Sequence, residues 1–150
     1  MKSTTLCYIE KDEKFLMLYR NKKENDMNEG KWLGIGGKIE PGESPDDCCV
    51  REVLEETGIK LKSYHFYGVI KFRATTYEDE DMYLYSSDDF EMPEFLPECD
   101  EGELHWVAKS DLLELPMWEG DKAFIEEILA GKEKIEMTLR YVGEECTIER

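Results

Sequence analysis

The sequence predicts an α+β domain, and three observations carry that expectation. Short β-prone runs separated by polar turns occupy both ends of the chain. Between them lies one stretch with start and stop signals for a helix, and a second apolar-striped helix precedes the last strands. At 150 residues the chain is read as one domain, 1–150, long enough to bury a core without staples.

In chain order, residues 4–10 (TTLCYIE) and 14–20 (KFLMLYR) read as strands joined by the polar Lys11-Asp12-Glu13 turn. Residues 21–31 are polar and read as a loop, whose lysines are candidates for phosphate contact or for plain solvation. Three glycines in Trp32-Leu33-Gly34-Ile35-Gly36-Gly37-Lys38-Ile39 permit close backbone approach.

The central helix follows. Ser44 suits its cap, Pro45 its first position, Asp46 and Asp47 the positive end of its dipole, and Gly58 its stop. Val50, Val53, Leu54 and Thr57 recur at helical spacing and are expected to face the core. Glu52, Glu55 and Glu56 fall at i, i+3 and i+4, so three carboxylates are expected on the other face. Like charges so placed cost an isolated helix roughly 0.2–0.5 kcal/mol per pair. A divalent cation turns that liability into a site, and hard carboxylate oxygens suit Mg²⁺ or Mn²⁺.

Residues 61–75 form a long β-prone run with Gly68 as a bulge, Glu78–Asp81 a charged turn, and Met82–Ser86 the returning strand. An acidic loop over 87–102 leads to Glu101–Val107, where a strand resumes, then a short capped turn at Ser110–Leu113. A helix over about 121–131 carries Phe124, Ile125, Ile128 and Leu129 as its stripe, and residues 134–150 read as a hairpin around Gly143.

Composition excludes several functions. Acidic residues number 36 against 19 basic ones, a formal charge of −17, which argues against DNA or RNA as a polymeric partner. A nucleotide remains open, because bound cations bridge acidic side chains to phosphates. Five cysteines without a CxxC pair read as reduced thiols of a cytoplasmic protein, and His65 and His105 lack zinc-ligand spacing. No apolar run reaches membrane-spanning length and no signal peptide is recognised, so no membrane partner is expected. Oligomeric state is not legible.

Gly37, then Glu43 after five residues, then Arg51-Glu52-Val53-Leu54-Glu55-Glu56-Thr57-Gly58-Ile59 after seven more, resembles the complete Nudix box. The flanks are similar to the MutT-type branch, the oxidised-purine nucleoside triphosphatases, at Lys38 and at Pro116-Met117-Trp118 with its following acids. The resemblance implies a mixed β-sheet sandwiched between α-helices, and Mg²⁺-dependent hydrolysis of a nucleoside diphosphate linked to X. Glu52, Glu55 and Glu56 would be catalytic and hold Mg²⁺ (or Mn²⁺) with the Gly36 carbonyl and Glu101. Glu98, Asp100 and Glu103 compete with Glu101 for that role. Either Glu55 or Glu56 would be the base, and Arg51 would tie down Glu43 as structural support.

For substrate, the resemblance points to a purine nucleoside triphosphate such as 8-oxo-dGTP, cleaved to monophosphate and pyrophosphate. Lys38 would meet a phosphate, Trp118 stack on the base and Asp121 bond its edge. The competing reading makes Trp118 a core residue or helix-entry staple. Leu33 departs from the pattern, since mammalian-type relatives carry a polar amide there and leucine makes no such hydrogen bond. Tyr77 keeps a dinucleoside polyphosphate open as substrate, and a non-catalytic nucleotide-sensing module is the remaining alternative.

Overall fold

A computed structural model describes residues 1–22 and 28–150. The elements are β1 (Lys2–Lys11), β2 (Lys14–Arg20), β3 (Trp32–Leu33), β4 (Ile35–Lys38), α1 (Pro45–Thr57), β5 (Lys60–Ala74), β6 (Glu80–Glu91), β7 (Gly102–Ala108), a 3₁₀ turn (Lys109–Glu114), α2 (Glu119–Leu129), β8 (Met137–Val142) and β9 (Glu145–Glu149). The expected loop lysine Lys23 lies outside the described residues.

β1 and β2 join through Asp12 and Glu13, both at positive φ (52° and 62°), the geometry that matches the twist of a tight hairpin. Beyond that turn the strands part. β1 pairs antiparallel with β4 and parallel with β6, then β5 pairs antiparallel with β6 and parallel with β8, and β9 closes the edge. This is the expected mixed sheet. β2 pairs antiparallel with β3 and β7.

The sheet is covered on both faces, which is why Thr5–Ile9 and Phe15–Leu18 are continuously buried rather than alternating. Leu6 and Tyr8 enter one core with Phe124 and Ile125 of α2, while Cys7 and Ile9 enter the other with Cys49 and Val53 of α1. Fold class and sandwich arrangement therefore agree with the sequence.

Four details depart from it. α1 is capped as expected, with Ser44 Oγ accepting from Asp47 N–H at 3.1 Å and Gly58 at φ 76°. Its buried side, however, is Cys48, Cys49, Val53 and Thr57, while Leu54 is 43% exposed and Val50 only half-buried. The helix is rolled so that Glu52 and Glu56 turn toward the sheet and Glu55 stays in solvent. β6 starts at Glu80 and runs to Glu91, taking up residues expected in a turn and an acidic loop. Pairing of Lys2 with Glu80 fixes its start. Ser63 Oγ donating to Asp89 at 2.9 Å and Ser87 Oγ donating to the Ser63 carbonyl hold its far end across a bulged β5. α2 begins at Glu119, which makes Trp118 its N-terminal boundary and leaves Asp121 in its first turn. Finally, the 3₁₀ turn at Lys109–Glu114 has no side-chain cap. Among the described residues no helix is long and apolar enough to cross a membrane.

Candidate active site

The loop between β4 and α1 is organised by Arg51. Its Nε and Nη2 donate to the two Glu43 oxygens at 2.7 and 2.9 Å, a fork geometry that only arginine offers. Nη2 also donates to the Lys38 carbonyl at 3.2 Å, and Nη1 to Glu52 at 2.8 Å and Glu55 at 3.2 Å. One guanidinium thus ties the end of β4, the loop and the helix into a unit. Its hydrogen bonds hold the Glu43 carboxyl down to about 2, and the Glu40 backbone N–H, donating to Glu43 at 3.1 Å, assists.

Two glycines set how closely β4 approaches its neighbours. A Cβ on Gly36 would overlap the Thr5 carbonyl of β1, and one on Gly37 would overlap the Glu52 carboxylate. Gly37 therefore leaves the space that Glu52 occupies.

Glu56 is the electrostatic focus. Burial first, then the charges of Glu101 and Glu52, push its carboxyl up to about 8, against the Gly36 amide and Arg20, which favour ionisation. Its Oε2 is buried and meets no hydrogen-bond donor among the described residues. Glu52 is shifted upward as well, chiefly by burial, with Arg51 opposing. Glu101, just before β7, is held by Arg20 Nη1 at 2.9 Å. Its competitors stand apart from this group: Glu103 pairs with Asn21 and His105, while Glu98 and Asp100 are exposed.

Whether these residues suit a divalent cation is a question of charge and donors. A buried carboxylate oxygen without a donor, next to two further carboxylates that repel it, is a donor set that a hard dication stabilises. In the structure Glu52 is turned onto Arg51 and Glu101 onto Arg20, and no three acidic, histidine or cysteine side chains converge among the described residues. Binding would draw Glu52 and Glu101 off their arginines.

Beside this group opens a cavity of about 330 Å³, lined by Leu33, Gly37, Lys38, Tyr77, Trp118 and Asp121 among others. All four residues expected to meet substrate border it. Trp118 is half-buried rather than in the core interior; its Nε1–H donates to Asn28 Oδ1 at 2.7 Å, and Lys31 Nζ lies 4.5 Å from its ring centre. Tyr77 and Tyr141 meet the ring edge-on at 6.1 and 5.5 Å. Asp121 is 4% exposed, and burial, followed by the charge of Glu80, pushes its carboxyl up to about 7 despite Lys31.

Sequence reasoning did not select Arg20, Asn28, Glu80 or Tyr141. They reach the site from distant strands and loops, and no local spacing marks them.

A NUDIX domain family model matches residues 2–128. The chain is 30% identical over 151 residues to the Nudix hydrolase YvcI of Bacillus subtilis (strain 168), covering 96% of this chain and 89% of that protein. It is 32% identical over 100 residues to an oxidized purine nucleoside triphosphate hydrolase of Danio rerio, covering 66% of this chain and 63% of that protein. Among solved structures it resembles a MutT protein from Bacillus halodurans, with a TM-score of 0.86 and 27% identity over 99% of this chain and 97% of that one.

Proposed function

This chain belongs to the NUDIX domain family, and from that premise we propose that it is a Mg²⁺-dependent pyrophosphohydrolase cleaving a purine nucleoside triphosphate, oxidised purines included, to monophosphate and pyrophosphate. The observation that carries this reading is Gly37, which lines the Trp118 cavity and also abuts the Glu52 carboxylate. A base held against Trp118 thus brings its phosphates past Lys38 toward the glutamates.

Glu52, Glu56 and Glu101, with Glu55 and the Gly36 carbonyl, would hold the cation. When bound, it supplies neutralisation of pyrophosphate charge and a more acidic water. The chain's own residues do the rest. Arg51 and Glu43 fix the loop that aims Glu52. Water attacks phosphorus, its proton passes to Glu55 or Glu56, and the bridging P–O bond breaks with its electron pair leaving on pyrophosphate. Trp118 offers a stacking face once Lys31 withdraws, and Asp121, held near neutrality, can both donate to and accept from a base edge. Leu33 adds only apolar contact, so edge recognition falls to Asp121. The five free thiols suit a reducing, cytoplasmic setting.

Tyr77, edge-on to Trp118 in the same cavity, favours a dinucleoside polyphosphate as the second reading. The test is pyrophosphate and phosphate release with Mg²⁺ across 8-oxo-dGTP, the common (d)NTPs, ADP-ribose and a dinucleoside tetraphosphate. Preference for purine triphosphates supports the proposal, and preference for the tetraphosphate moves it to the second reading. Glu56→Gln is expected to lower turnover by about 10²–10⁴-fold; unchanged turnover would overturn the assignment of these glutamates.

A further inference from the structure

α1 covers only part of its sheet face, and next to it lies a run of aromatic side chains that no element covers among the described residues. Tyr64 and Phe66, on the bulged half of β5, are 38% and 44% exposed. Phe66 stacks on Tyr83 (6.0 Å, 27°) and leans on Tyr85 at 5.2 Å, while Tyr64 meets Tyr85 edge-on at 5.7 Å. The rings support one another and hold Phe66 and Tyr64 in place at the surface.

Acids flank these rings. Asp46 and Asp47 are both exposed in the first turn of α1, and the Tyr85 hydroxyl donates to Asp46 at 2.5 Å, which sets that turn against the rings. Desolvation of the ring first, then the charges of Asp46, Cys49 and Asp47, hold the Tyr64 hydroxyl above its ordinary pKa. Among the described residues neither aspartate forms an ion pair with lysine or arginine.

Ring faces carry negative charge density, and carboxylates beside them add to it, so the patch is suited to a cation that also has a flat or aliphatic surface to bury. Arginine meets both demands, by stacking on a ring and forking to a carboxylate. A second copy of this chain would instead bring a charge of −17 against the same charge, and a nucleic acid would be repelled as well. We propose that the Tyr64–Phe66 face, with Asp46 and Asp47 beside it, is a docking surface for an arginine-bearing basic segment of a partner protein. This surface is separate from the Trp118 cavity, and its use does not depend on which nucleotide is cleaved.

The experiment titrates the full chain into a fluorescein-labelled peptide of Arg-Gly repeats and reads anisotropy at near-physiological ionic strength. Saturable one-to-one binding is expected. Phe66→Ser should weaken it about two- to five-fold, the loss of one exposed cation–π contact. Phe66→Tyr, which keeps the ring, should bind as the natural chain does. Asp47→Asn should weaken binding and flatten its salt dependence. A remote control, Glu144→Gln with Glu145→Gln at the β8–β9 turn, removes two charges and should change affinity less than about two-fold. Pyrophosphate release by Phe66→Ser should match the natural chain, showing that the fold is intact; if that variant does not fold, Asp47→Asn decides. Absence of saturable binding overturns the proposal, as does equal weakening by the remote pair. Concentration-dependent self-association of the natural chain that Phe66→Ser abolishes would assign the surface to a second copy and overturn it too.

Discussion

Asp121→Asn is expected to make the protein less sensitive to alkaline conditions. Asp121 is 4% exposed in the first turn of α2, and burial and the charge of Glu80 lift its carboxyl from an ordinary 3.8 to about 7. The folded chain therefore binds this proton more tightly than the unfolded chain does. Between about pH 4 and pH 7 folding takes up a proton, so stability from this site is complete below pH 4 and is lost as pH rises through 7. A difference of roughly three pH units, at about 1.4 kcal/mol each, amounts to about 4 kcal/mol above pH 8. About 1.5 kcal/mol of that has already gone by pH 5, leaving about 2.5 kcal/mol to be lost between pH 5 and pH 8. Asparagine is neutral in both states and nearly isosteric, so the variant lacks this dependence. Urea unfolding of both proteins at pH 5 and pH 8 measures it, and subtracting the two curves removes every other titrating group. The variant should gain about 2.5 kcal/mol on the natural chain across that interval. A constant difference at both pH values would refute the idea that Asp121 is buried and protonated near neutrality.

Three further outcomes follow from the site. Gly37→Ala should fold, because the Glu52 carboxylate is the flexible end of a side chain and can swing aside, yet lose Mg²⁺-dependent turnover as Glu52 leaves its place; thermal melting with pyrophosphate release separates the two. Arg51→Ala releases Glu43, Glu52, Glu55 and the Lys38 carbonyl together, and should lower kcat/KM by about 10–100-fold, as losses of supporting partners do; activity within two-fold of the natural enzyme, about 0.4 kcal/mol, would mean the loop holds without it. Trp118→Ala should raise KM for a purine triphosphate by about 10–100-fold while leaving kcat nearly unchanged, corresponding to stacking worth about 1–3 kcal/mol. A fall in kcat alone would assign Trp118 to helix entry rather than to the base.

What the chain settles by itself is local. Ser44, Pro45 and Gly58 bound α1 because capping groups and a left-handed stop act within one turn. The Arg51–Glu43 pair, which the family resemblance implies, joins residues eight apart on a loop and its helix, and the strand pattern follows from runs of β-prone residues. The spacing of Gly37, Glu43 and Arg51 to Ile59 was sufficient to identify the family, since that motif is contiguous. Tertiary structure decided the rest. Helical periodicity assigned Leu54 to the core and put three glutamates on one face, but packing against β1 and β4 rolled the helix, buried Cys48 and Cys49, and left Glu55 outside. The reach of β6 depended on its cross-strand partners, Lys2 at one end and Lys60 to Ser63 at the other. That Leu33, Lys38, Trp118 and Asp121 border one cavity, with Asn28 fastening the tryptophan and Glu80 lifting the aspartate, depends on contacts between residues far apart in sequence. Such contacts form only when the sheet closes, because the free energy that brings these segments together is burial on both sheet faces, not any preference of the segments themselves.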